Sequence, residues 1–472
     1  MHIQRLKLIP HAILLAIFFT ACGYAEPSIP SASSSVTSIE DTAVAVSETS
    51  REDITITLAA MNSSSMQDVI DEFNAADNGY KLEVKQYADV KDGVPSDEEY
   101  HAADLALVQD LLAGDTIDII CSSSFTDSAY YDILQNKGAF VDLFPLMDQD
   151  DKVNTSTLNK HVLDVYSQDG HLYRLPTFYG VETLIGESRY VGNKENWSVD
   201  ELIRHWDALP DDFTFNGSTQ SEEAYYVLLR SNINSFIDYK NAKVHFDSPE
   251  FKRLLEFCCQ FETNHGNKMA YDADAPVFLT RCRIDSLMSM AHVLGNDADY
   301  TFVGYPSESG EGAFFYDRGP SFSICAKTSP ERQQGAWEFI RSFATYEYQK
   351  EHVISWVPSG SNDLQFGGEM GFCINNKAFD EVTQNIIDGT YLSKTTYEIQ
   401  GESYPIILPT AKVRDRLVHY FESVQNHSSG NPSAVYNIVT EEIMGCLAGE
   451  KSVEDTIRMI QSRASIWISE QS

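Results

Sequence analysis

The stretch ITITLAAMNSSSMQDVIDEFNAADNGYKLEVKQY, residues 54–87, decides the fold class. Ile54, Ile56 and Leu58 alternate with threonines, the pattern of a strand that buries one face. Ser65 and Asp68 have the spacing of a capping box ahead of Met66, Val69, Ile70 and Phe73, which share one helical face. Lys81 to Tyr87 predicts a second strand, so the stretch reads as one βαβ unit. Leu105, Val108, Leu111 and Leu112 then predict a helix stopped by Gly114, and Thr116 to Cys121 a third strand apolar enough to be buried on both faces. Alternation of this kind predicts an α/β fold with a mostly parallel sheet.

The same grammar continues after residue 195. Ser198 and Glu201 make a capping box, with Trp197 and Leu202 placed to staple it. Ser248-Pro249 and Ser329-Pro330 each put a capping serine before proline at the first helical position. Ala336, Trp337, Phe339, Ile340 and Phe343 share a broad apolar face, and Val453, Ile457, Ile460, Ala464 and Trp467 follow helical spacing behind Ser452. No internal repeat is present.

Upstream lies a different kind of sequence. Arg5 and Lys7 precede an apolar run from Leu8 to Ala21 that ends at Cys22. The run falls short of the roughly twenty residues a membrane-spanning helix needs, and reads as a secretory signal over residues 1–21. Residues 22–50 are rich in serine, alanine, threonine and proline without apolar periodicity, which predicts a disordered linker. Such a leash spans roughly 30 Å on average.

From Arg51 onward about 420 residues remain, enough for two ordinary domains. Seventy acidic against 34 basic residues give a net charge of −36, which argues against nucleic acid as a partner and for solubility. The cysteines after Cys22 are odd in number and share no spacing, unlike a disulfide framework; most are expected to be free and buried. Cys258 continues the helical stripe of Phe251, Leu254 and Leu255.

Catalytic signatures are missing: no His-Glu-x-x-His, Gly-x-Ser-x-Gly or Ser-x-x-Lys occurs, and no cysteine pair has x-x spacing. The runs Asp148-Gln149-Asp150-Asp151 and Asp272-Ala273-Asp274 lack the glycine and terminal glutamate of a calcium loop and read as solvated turns. The sequence therefore predicts no enzyme, cofactor or metal site. A secreted glycoside hydrolase stays open as an alternative, because its carboxylate pair is a tertiary feature.

The order of segments resembles the extracellular solute-binding proteins of ABC importers, of the family 1, sugar-binding lipoprotein type. The opening stretch is similar to that family's first strand, helix and strand, and AGDTIDIICSSS to its strand carrying an Asp-Ile pair. GHLYRLPTFYGVETLI resembles the first crossover between lobes, PSFSICAKTSPERQQGAWEFIRSFATYEYQKEH the return strand and helix, and EEIMGCLAGEKSVEDTIRMIQSRASIWISE the closing helices. Thr20-Ala21-Cys22 likewise resembles a lipobox, which implies a lipid on Cys22.

The resemblance implies a two-lobe, periplasmic-binding-protein-like clamshell whose discontinuous lobes, 53–177 plus 318–375 and 178–317 plus 376–472, are joined by a hinge. It implies a monomer held by lipid at the extracellular face of the cell membrane, which binds a small polar solute, most often a mono- or oligosaccharide, and passes it to a permease. A surface sensor with the same clamshell is the other alternative. Ligand-contacting positions follow from the loops beyond strand ends. Asn62, Ser63 and Ser64 follow the first strand and either meet the ligand or cap the helix. Phe125 follows the third strand, and Thr177, Phe178 and Tyr179 fall at the crossover, facing the ligand or filling core. His292 and Leu294 occupy a strand-to-loop segment. Phe315, Tyr316, Asp317 and Arg318 combine rings with an acid and a base, suited to a sugar or to each other. Trp356 and Tyr404 complete the set.

Overall fold

In the computed structural model the described residues are 53–88, 97–114, 116–121, 128–217, 220–261, 275–294, 299–307, 312–355, 368–369, 371–391, 396–399, 402–428 and 434–471. The signal, the linker with Cys22, and the run at 272–274 lie outside them.

Two sheets organise the chain. Their strands in chain order are β1 (Ile54–Ala60), β2 (Tyr80–Gln86), β3 (Ile119–Cys121), β4 (Phe178–Glu187), β5 (Thr280–Ile284), β6 (Tyr300–Phe302), β7 (Phe314–Asp317), β8 (Phe322–Ile324), β9 (Phe372–Cys373) and β10 (Asn426–Ser428). The first sheet has the order β8-β3-β1-β2. Its β1 runs parallel to β2, Ile54 opposite Tyr80, and to β3, Leu58 opposite Ile119. Only β8 runs against its neighbour, with Phe322 opposite Cys121.

The second sheet has the order β9-β4-β7-β10, with β5 and β6 also on β4. Here the expected parallel pattern gives way. Every strand on β4 is antiparallel to it, and only β10 beside β7 is parallel. The ten-residue β4 carries the chain out of the first sheet, and β7 brings it back alongside, so the return must run against it.

Local signals explain most helix starts. Ser198 and Glu201 form the reciprocal capping box of the helix Val199–Asp207, and Trp197 and Leu202 are fully buried on either side of it. Ser248 and Ser329 accept from the amides of Phe251 and Arg332, with proline at the first turn of each helix. The first helix starts differently from expectation. A 3-10 turn, Ser64–Met66, precedes the helix Gln67–Ala75, whose N-cap is Met66 without a side-chain bond. Asn62 takes the capping part instead, accepting from the Ser64 amide at 2.8 Å.

The helix Asp97–Ala113 turns only part of the expected face inward, with Val108 and Leu111 packed against the core. Ala103 and Leu107 are buried, whereas Leu105 and Leu112 are 38% and 60% exposed. Asp150 departs from the solvated turn expected of it. Its carboxylate accepts from the Trp337 indole at 2.9 Å and the Val153 amide at 2.9 Å and faces Arg341 at 3.3 Å, with 8% of the side chain exposed. It ties a loop to the helix Pro330–Ser342.

Three apolar clusters fill the interior. One lies on a face of the first sheet and continues through the junction to the second, joining Leu58, Phe339, Phe178, Val181 and Phe315. Another covers the opposite face of the second sheet, from Leu184 and Trp197 to Phe251 and Ile460. The third, with Ala59, Leu107 and Ile120, backs the first sheet. No described helix is long and apolar enough to cross a membrane.

Candidate functional site

The strand ends converge on the junction between the sheets. In the first sheet β1 and β3 end, and β8 begins, at the same edge. In the second, β5, β7 and β10 end where β4 begins. Two chain segments cross there side by side: Leu175 and Phe322 exchange both backbone bonds, and the Arg318 amide donates to the Phe178 carbonyl at 3.0 Å. The Thr177 hydroxyl donates to the Pro320 carbonyl at 2.6 Å. Buried Gln349 braces the crossing, donating to the Thr177 carbonyl and accepting from the Asn375 amide.

A polar cluster sits on these crossings. Arg174 faces Asp317 at 3.6 Å, with 4% and 5% of the side chains exposed. The guanidinium lies over the rings of Tyr131 at 5.0 Å and Tyr166 at 5.2 Å. Tyr166 and Ser321 each donate to Asp317 at 2.8 Å, Tyr131 bonds Ser323 at 2.9 Å, and His427 stacks on Tyr166 at 4.7 Å. Burial pushes the Tyr166 phenol well above its ordinary value, and the Asp317 charge adds to this, so it stays a donor. Burial works against the Arg174 charge, but Asp317 more than compensates, and the guanidinium stays protonated.

A second cluster lies on the other face of β7. Glu182 is held by Arg281 at 2.9 Å, Arg283 at 2.8 Å and the Tyr305 hydroxyl at 2.8 Å. Burial alone raises a carboxyl, yet Arg281 and then Arg283 overcome it and bring Glu182 down to about 2. Asp285, just past the end of β5, accepts from Tyr316 at 3.2 Å and faces Arg318 at 3.2 Å. Arg283 covers the Tyr316 ring at 5.2 Å. Rings and fixed, charge-assisted donors and acceptors lie at the strand ends, the combination that orients hydroxyl-rich solutes.

The expected residues divide. Asp317, Tyr316 and Arg318 belong to these clusters. Tyr316 and Phe315 point to opposite faces of β7, and Phe315 is fully buried, edge-on to Tyr179 at 5.3 Å. Phe178, Tyr179 and Thr177 are buried too; what the two rings do here is pack, Phe178 near Tyr348 and Tyr179 near Phe372. Ser63 is 8% exposed, while Ser64 is exposed beside Asn62 at the end of β1. His292 and Leu294 fall in a helix, Leu287–Leu294, where a loop was expected, and Leu294 is core. Tyr404 is in a strand paired opposite Tyr397. The side chains of His292 and Tyr404, and all of Phe125 and Trp356, lie outside the described residues. Sequence reasoning missed Tyr131, Tyr166, Arg174, Glu182, Arg281, Arg283, Asp285 and His427. Only Arg281-x-Arg283 carried a local signal, since alternate residues of a strand share a face.

No family model matches the sequence, and no curated protein does. Solved structures do match. A periplasmic oligogalacturonide binding protein from Yersinia enterocolitica is 14% identical, with 89% of this chain and all of that one covered at a TM-score of 0.50. The chain has the two-lobe solute-binding-protein fold. Similar chains include a family 1 extracellular solute-binding protein from Alicyclobacillus acidocaldarius, 14% identical over 89% of this chain and 99% of that one, TM-score 0.49. Another is an ABC transporter solute binding protein from Agrobacterium radiobacter K84 in complex with ribitol, 17% identical over 88% and 99%, TM-score 0.48.

Proposed function

We propose that this chain is the solute-capturing component of an ABC importer, binding a small polar solute between its lobes and delivering it to a membrane permease. The observation that carries the reading is the pair of polar, ring-walled clusters at the crossings between the sheets, where β5 and β7 end with Asp285, Tyr316 and Asp317, since strand ends are where open α/β sheets place ligands. We assign the lobes to 53–177 plus 318–375 and 178–317 plus 376–472, with the crossings at Leu175–Phe178 and Asp317–Phe322 as hinge strands, and closure as a hinge motion.

A mono- or oligosaccharide is the solute class we favour. Tyr316, with Asp285, Arg283 and Arg318 around its rim, supplies a ring flanked by charged hydrogen-bonding groups, and the similar Yersinia protein is described as binding an oligogalacturonide. A lipid on Cys22 and the linker behind it hold the body near its permease at the extracellular face.

A thermal-shift screen of the body from residue 51, across carbohydrates, amino acids and short peptides, tests the reading. A true ligand at 100 times its dissociation constant stabilises by about 2.7 kcal/mol. Shifts confined to peptides would reject the saccharide assignment, and turnover of a hit would reject the binder.

A further inference from the structure

The seven described cysteines carry no disulfide, but two are not isolated. Cys259, the last residue of the helix Pro249–Cys259, and Cys446, near the end of the helix Ala434–Leu447, bring their sulfurs to 3.3 Å across 187 residues of sequence. Cys446 is 5% exposed, whereas Cys259 is half-buried. Both helices pack into the second core cluster, so the contact joins two fixed elements. We propose that Cys259 and Cys446 are a reversible thiol–disulfide site that low-molecular-weight disulfides oxidise, tying these two helices together.

The electrostatics of the contact fit this chemistry. Either thiol can donate in this contact, and the bond lowers the proton affinity of the accepting sulfur and raises that of the donor. One proton is thus shared between the sulfurs once the first is lost, and the remaining negative charge is available to either. Cys258, next in the chain, is fully buried with its thiol pushed up by burial, and stays inert.

The steps balance. With the shared proton on Cys446, the Cys259 thiolate attacks one sulfur of the small disulfide, and the first small thiolate leaves. Cys446 then attacks the Cys259 sulfur, which expels the second small thiolate; the proton from Cys446 and the one lost earlier end on the two released thiols. The small disulfide is reduced and the cysteine pair oxidised. The sulfurs must close from 3.3 Å to about 2.05 Å, a small side-chain adjustment.

The test uses the full mature chain with oxidised glutathione as the probe. The expected result is a product lighter by two hydrogens, with the Cys259 and Cys446 peptides linked, no glutathione retained, and full reversal by dithiothreitol. The linked form should melt at least about 5 °C higher, because the cross-link closes a long loop of the unfolded chain. Cys259→Ser, at the half-buried position, should fold and form no link. A stable glutathione adduct on Cys259 without the linked peptide would overturn the proposal, as would a native chain that stays fully reduced while the urea-unfolded chain oxidises.

Discussion

Arg174, ahead of β4, and Asp317, the last residue of β7, face each other at 3.6 Å on the two segments that cross between the sheets, almost fully buried. The pair fixes the spacing of the crossings where the proposed hinge must bend. Because both charges are desolvated, each depends on the other. Arg174→Met should strand Asp317, and Asp317→Asn should strand Arg174, each costing about 3–5 kcal/mol in urea unfolding. The double variant should cost less than the two added together. Single variants within about 1 kcal/mol of the parent would mean that Tyr166 and Ser321, not the ion pair, hold the crossings.

Glu182 gives the molecule an acid-sensitive contact. Its carboxyl sits at about 2 in the folded chain against 4.5 as its ordinary value. Between those values the unfolded chain binds the proton first, so stability falls as pH drops. The contribution is present in full above about pH 4.5 and is lost as pH approaches 2; the difference corresponds to about 3 kcal/mol. Glu182→Gln should flatten this part of the stability-against-pH curve and lower stability at neutral pH. An acid limb of unchanged steepness in the variant would place the sensitivity in other carboxylates.

Gly180 shows how closely the second cluster is fitted. A Cβ there would stand 2.7 Å from the Tyr316 ring, so Gly180→Ala must displace the ring from Asp285 and Arg283. A stability loss of about 1–3 kcal/mol follows from overpacking. Solute affinity should fall further than in Ser198→Ala, a cap variant remote from the junction that costs about 1 kcal/mol. Calorimetric titration of both variants with a solute from the screen makes the comparison; equal affinities would remove Tyr316 from the site.

The sequence carried the elements better than the site. Ser198, Ser248 and Ser329 act through contacts three residues away, so their helix starts were readable from spacing. The antiparallel second sheet was not, since the direction of β5 and β7 against β4 depends on where the chain returns. The clusters are less local still. Asp317 is 151 residues from Tyr166, and Glu182 is 99 from Arg281, so no window of sequence holds both partners. Aromatic residues misled for a related reason: Phe178, Tyr179 and Phe315 have the composition of a sugar platform, and packing alone decides which rings remain available.

The proposed lipid anchor separates from binding in a way that can be measured. The proposed anchor raises the concentration of the binding body near a membrane permease without altering the contacts made with solute. Cys22→Ser should therefore move the protein from the membrane fraction into the medium while its dissociation constant for solute stays unchanged. Uptake should drop at low solute concentration, where capture near the permease limits the rate, and recover as solute is raised. Retention of the variant in the membrane fraction would refute lipidation at Cys22, and a weaker dissociation constant would mean that the anchored segment takes part in binding.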